Sequence, residues 1–89
     1  MKVNNPADVA GGKSAPLDLD VRGHKCPIPI LRLRRCLEGQ AAGTYIRITA
    51  TDPMTQIDIP HFCQQADHML IEQTVIGENL YFLIKKTGD

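Results

Sequence analysis

LDLDVRGHKCPIPILRLRRCLEG, residues 17–39, changes its hydrophobic period halfway along, and that change decides the fold. In the first part Leu17, Leu19 and Val21 alternate with Asp18 and Asp20. A period of two is that of a half-buried strand, with the apolar residues toward a core. Arg22 and Gly23 turn the chain. Proline is favoured in the first turn of a helix, where its missing N–H is not needed, so Pro27 and Pro29 predict a helix beginning at Cys26 or Pro27. At 100° per residue, Ile30, Leu33, Leu37 and Ala41 share one face of that helix. Arg32 and Arg35 point to the other side, Arg34 lies at the border, and Gly39 and Gly43 bracket the end. A strand feeding such a helix asks for a second strand, parallel to the first and reached by a right-handed crossover.

The rest of the chain supplies the partners. TYIRITA, residues 44–50, is the second strand, with Ile46, Ile48 and Ala50 on one face. TDP, residues 51–53, is a turn. A second helix is expected from Thr55 or Asp58 to about Asp67, with Ile59, Phe62, Cys63 and Ala66 as its buried stripe. Pro60 argues for a cap at Asp58. MLIEQTVI (69–76) and NLYFLIKK (79–86) are strands joined by a short turn at Gly77, a hairpin pattern. The expected architecture is α+β: a two-layer sandwich of order β-α-β-α-β-β, with a mixed four-stranded sheet and both helices on one face. Residues 1–16 are rich in Gly, Pro, Asn and Ala without periodicity and read as a flexible tail, leaving residues 17–87 as the one folded domain.

Composition narrows the function. The chain has 89 residues and no net charge, which disfavours direct binding of nucleic acid over its whole surface. No apolar run approaches a membrane span, and the N-terminal stretch lacks the apolar segment of a signal peptide, so a cytoplasmic location is expected. Cys26, Cys36 and Cys63 are odd in number and widely spaced, which is no disulfide framework.

Cys26 carries the chemical signal. The expected helix N-terminus favours negative charge at the sulfur, and Arg22, His24 and Lys25 add cations beside it. Such surroundings lower a thiol's pKa and make it a nucleophile. Of the ten Lys and Arg residues, five (Arg22, Lys25, Arg32, Arg34, Arg35) fall between positions 22 and 35, and no Asp or Glu occurs from 21 to 37. The position that would hold the second cysteine of a C-x-x-C motif is Pro29. Cys36 lies about 15 Å further along the helix by its rise per residue, out of reach of Cys26. A lone activated thiol fits a covalent carrier.

R-G-H-K-C-P-I-P-I-L resembles the Cys-Pro-x-Pro motif of the TusA-type (SirA-like) sulfur carriers, and T-D-P-M-T-Q-I-D-I-P-H-F-C is similar to that family's second block. The resemblance covers about residues 17–87. It implies the same β-α-β-α-β-β fold and a sulfurtransferase in which Cys26 carries sulfur as a persulfide. Gly23, His24, Lys25, Pro27 and Pro29 are the supporting motif, and Arg34 and Asp52 match polar positions at the family's partner interface. It also implies a cysteine desulfurase or rhodanese-like donor and a downstream acceptor protein, in a relay toward tRNA thiolation, sulfur oxidation or cofactor maturation. No metal or other cofactor is required. His24 departs from the family, which usually has leucine there. Two other readings compete: a redox or regulatory thiol protein, and a small protein-binding module without sulfur transfer. Cys36 and Cys63 read as structural thiols, and His61 and His68, seven residues apart, lack the spacing of a zinc pair.

Overall fold

The computed structural model describes residues 16–87; the expected tail, residues 1–16, lies outside the described residues except for Pro16. Its elements run β1 (Leu17–Asp20), α1 (Ile28–Glu38), β2 (Tyr45–Ala50), α2 (Thr55–Ala66), β3 (Met69–Ile76) and β4 (Asn79–Lys85). The four strands form one sheet in the order β1-β2-β4-β3. β1 runs parallel to β2, and β4 pairs antiparallel with both β2 and β3. The mixed sheet and the element order are those expected from the hydrophobic periods.

One face of the sheet builds the core. Ile46, Ile48 and Ala50 from β2 and Leu80, Phe82 and Ile84 from β4 are buried together with Leu33 and Leu37 of α1 and Ile59, Phe62 and Cys63 of α2. The register explains the alternation, because Ile46 pairs with Ile84, Ile48 with Phe82 and Ala50 with Leu80. The two central strands thus turn every second side chain toward the helices. The outer strands are less covered. Leu17, at the start of β1, is 39% exposed, although it shares the face of Ile46, because β1 lies at the sheet edge. β3 is the other edge and is open along nearly its whole length. A register shift between Leu70 and Glu72 interrupts its alternation.

The start of α1 and the cap of α2 depart from expectation at their prolines, while α2 begins at Thr55, one of its two expected starts. α1 begins at Ile28, with Pro27 as its N-cap and Pro29 buried in the first turn. Cys26 therefore precedes the helix and is not its first residue. Ala41 lies beyond the helix, which stops at Glu38 with Gly39 as C-cap, and it is exposed, not packed on the apolar face. α2 begins at Thr55, and Pro60 sits inside it. Proline there removes one helical hydrogen bond, to the carbonyl four residues back. That carbonyl belongs to Gln56, an exposed residue that water can reach. The turn before α2 is already closed by Asp52, whose carbonyl accepts from the Thr55 N–H at 2.9 Å and the Thr55 hydroxyl at 2.7 Å. Asp58 thus falls in the first turn and is not the cap. His68 lies past the left-handed C-cap of α2, Asp67, and is half-buried.

Candidate functional site

β1 and β2 are parallel neighbours, so their carboxyl ends lie side by side and the loops leaving them meet. Loops at the carboxyl ends of parallel strands are a favoured place for sites in open sheets. The first loop carries Cys26 and the second carries Asp52, and a short series of hydrogen bonds ties them together. Val21, fully buried, donates its N–H to the Thr49 carbonyl at 2.9 Å, just beyond the end of β1. Gly23 donates its N–H to Thr51 Oγ1 at 2.9 Å and has φ of 83°, a conformation that glycine adopts without strain. Cys26 donates its N–H to Asp52 Oδ2 at 2.8 Å, while Asp52 Oδ1 accepts from the Met54 N–H at 3.1 Å. Asp52 is 8% exposed, and the two N–H groups hold its carboxyl below the usual carboxylate range. Its side chain ties the Cys26 loop to the turn before α2.

The charge around the sulfur also differs from expectation. Arg22 does not face Cys26: its guanidinium bonds both carboxylate oxygens of Asp20 at 2.9 Å. That pairing holds the Asp20 carboxyl at about 2. The groups that act on the Cys26 sulfur are acidic. Asp58 as a hydrogen-bond acceptor for the thiol, then desolvation, then the charges of Asp58 and Asp52, push the thiol above its ordinary value. The expected lowering fails for two physical reasons. Cys26 stands ahead of the helix, with its own N–H already given to Asp52, and the charges that act on its sulfur are those of Asp58 and Asp52. Exposure does agree with the sequence reading. Cys26 is exposed, Cys36 is half-buried and Cys63 is buried.

Beside the thiol is an open cavity of about 230 Å³ between α1 and α2. Cys26, Pro27 and Ile30 form one wall, Asp58, His61 and Phe62 another, with Arg34 and Gln65 farther along. Arg34 also stacks over Phe62, its guanidinium carbon 5.7 Å from the ring centroid. It lines the same cavity as Cys26. Gly23 and Pro29 shape the loop and the first turn; Lys25 is exposed and His24 half-buried. Ile28 and Leu31 on α1, and Met54 and Ile57 at the start of α2, are exposed apolar residues at the same end of the molecule. The sequence reading missed Asp58 as a chemical group, because nothing in the linear spacing pairs it with Cys26. Among the described residues no three His, Cys, Asp or Glu side chains gather as a metal site, and no helix is long and apolar enough to cross a membrane.

Fold and site together define a small two-layer α+β domain that presents one exposed thiol in front of its first helix. Residues 17–86 match the family model described as Sulfurtransferase TusA. The "Sulfur carrier protein TusA" of Pseudomonas putida is 37% identical over 71 residues, which cover 80% of this chain and 89% of that protein. The protein of the same name from Allochromatium vinosum is 37% identical over 70 residues, covering 79% and 92%. The chain belongs to the TusA family. A crystal structure of a SirA-like protein from Desulfitobacterium hafniense superposes with a TM-score of 0.71 at 16% identity, covering 80% of this chain and 97% of that one, and shares the fold.

Proposed function

We propose that this chain is a sulfur carrier and acts as a sulfurtransferase, with Cys26 as the residue that bears the sulfur. The carrying observation is that Cys26 alone of the three thiols is exposed, on a loop fixed by bonds from Gly23 and Cys26 to the following turn. Kinship with proteins named as sulfur carriers supports the same reading. In it, the Cys26 sulfur attacks the outer sulfur of a donor persulfide, the donor cysteine leaves, and Cys26 becomes a persulfide. A cysteine of the acceptor protein then repeats the step on Cys26. The donor is a cysteine desulfurase or rhodanese-like protein, and the relay ends in a thiolated tRNA base, an oxidised sulfur species or a matured cofactor. Gly23, His24, Lys25, Pro27 and Pro29 shape the thiol loop, and Arg34 meets the partner beside it. Such a relay operates in the cytoplasm.

The exposed apolar residues Ile28, Leu31, Met54 and Ile57 suit the protein contact that direct transfer needs. A redox thiol that closes an internal disulfide fits less well, since Cys36 is half-buried and Cys63 lies in the core. Intact mass measurement after incubation with a cysteine desulfurase and cysteine, without reductant, tests the reading. The natural sequence gains one sulfur atom and Cys26→Ser gains none. Equal gain by both proteins removes Cys26 from the role.

A further inference from the structure

The thiol loop and the first turn of α2 meet over one cavity, and among the described residues the only acidic side chain lining it is Asp58. Asp58 is half-buried and belongs to neither of the two ion pairs found among the described residues. It lines the cavity together with Cys26, and it is the group that acts most strongly on the thiol, pushing it above its ordinary value. Asp52, the other carboxylate at the thiol, is spent on the N–H groups of Cys26 and Met54. Arg34 from α1 and His61 from α2 line the same cavity, and the charge of Lys25 in the loop acts on Asp52. Asp58 therefore combines a place beside the thiol in the cavity wall with access to the space where a partner's sulfur must enter.

We propose that Asp58 is a catalytic residue of sulfur transfer, which holds the Cys26 proton between transfers, takes it as Sγ attacks, and returns it to the departing sulfur. The proposal rests on the carrier role of Cys26. During loading, Cys26 Sγ forms a bond to the outer sulfur of the donor persulfide. The donor's S–S bond breaks, and its electron pair stays on the donor cysteine. The proton moves from Sγ to an Asp58 oxygen and from there to the donor thiolate. One S–S bond forms and one breaks, so no oxidant or reductant is consumed. A thiol held this way is a weak nucleophile toward reagents that bring no leaving group to the carboxylate, and a competent one toward a docked persulfide. General acid–base groups of this kind contribute about 10²- to 10⁴-fold to a rate.

The test compares the full chain with D58N in two reactions. One is alkylation of Cys26 by iodoacetamide across pH. The other is sulfur uptake from a persulfide-loaded cysteine desulfurase, followed by rapid quench and intact mass. An amide carries no charge beside the sulfur, so the alkylation midpoint moves to lower pH and alkylation at neutral pH becomes faster. Sulfur uptake falls about 10²-fold, the lower end of general acid–base contributions. A merely structural role of Asp58 does not drive the two rates in opposite directions. D58E recovers part of the uptake, and D58S, whose hydroxyl suits a helix's first turn, replaces D58N if that variant fails to fold. Uptake by D58N at or above the natural rate, or an unmoved alkylation profile, overturns the proposal. Natural protein that takes up no sulfur from the desulfurase or from a rhodanese with thiosulfate defeats the carrier reading itself. Uptake by the natural protein that is unchanged in D58N defeats only Asp58.

Discussion

Cys26 and Cys63 both hold their protons more tightly than a free thiol, and their surroundings share nothing else. Cys63 sits on α2 among Ile59, Phe62 and the sheet, 3% exposed, and burial alone pushes it from 9.0 to about 11. Cys26 is exposed, and a hydrogen bond to Asp58 comes first among the causes. An apolar wall disfavours the thiolate for good, because nothing short of unfolding rehydrates it. A carboxylate disfavours it conditionally, because a proton acceptor is also a proton carrier. The same direction of shift thus marks an inert sulfur in the core and a poised one at the surface, and only the cause separates them.

That contrast sets the expected effects. The largest is at high pH. A folded value raised above the unfolded one contributes stability that is present below pH 9 and lost as pH rises through about 11. Two units correspond to about 2–3 kcal/mol at 1.36 kcal/mol per unit, so denaturant melts of the natural protein weaken by about that much across this window. Cys63→Ala flattens the loss, and an equal loss in that variant places it elsewhere. Next, Cys63→Ser puts a hydroxyl into the core without a partner and costs about 1–3 kcal/mol, while Cys26→Ser leaves the unfolding midpoint almost unchanged. Comparable costs at the two positions would erase the distinction between them. The smallest effect belongs to a carboxylate that is paired at the surface. Asp20 is held at about 2 by Arg22, so its contribution is present above pH 3.8 and lost as pH falls through about 2. Exposed pairs of this kind are weak, and Asp20→Asn barely moves the melt at neutral pH.

Most of the fold was legible because two hydrophobic periods carry it. Period two marks β2 and β4, whose alternate residues are buried, and the stripe of Ile59, Phe62 and Cys63 marks α2. The prolines were read too simply. Pro27 caps α1 from outside, so Cys26 lost the helix terminus expected at its sulfur, and Pro60 is tolerated inside α2 because the carbonyl it leaves free belongs to an exposed residue. The thiol itself was plain in the sequence, since it lies between a basic dipeptide and two prolines. Its acidic partners were not. Asp52 and Asp58 reach Cys26 only because β1 and β2 are parallel neighbours, which brings the second loop and the start of α2 against the first. A local count of charges between 22 and 35 sees five cations and misses both carboxylates.

In the proposed function, environment, not the mere presence of a thiol, chooses the sulfur-bearing residue. Peptide mapping by mass spectrometry, after loading by a cysteine desulfurase and mild alkylation, locates the added sulfur among Cys26, Cys36 and Cys63. The added atom is expected on the peptide containing Cys26 and on neither of the others. Sulfur distributed over all three peptides in the folded protein, or found on Cys36 or Cys63 alone, would contradict the account.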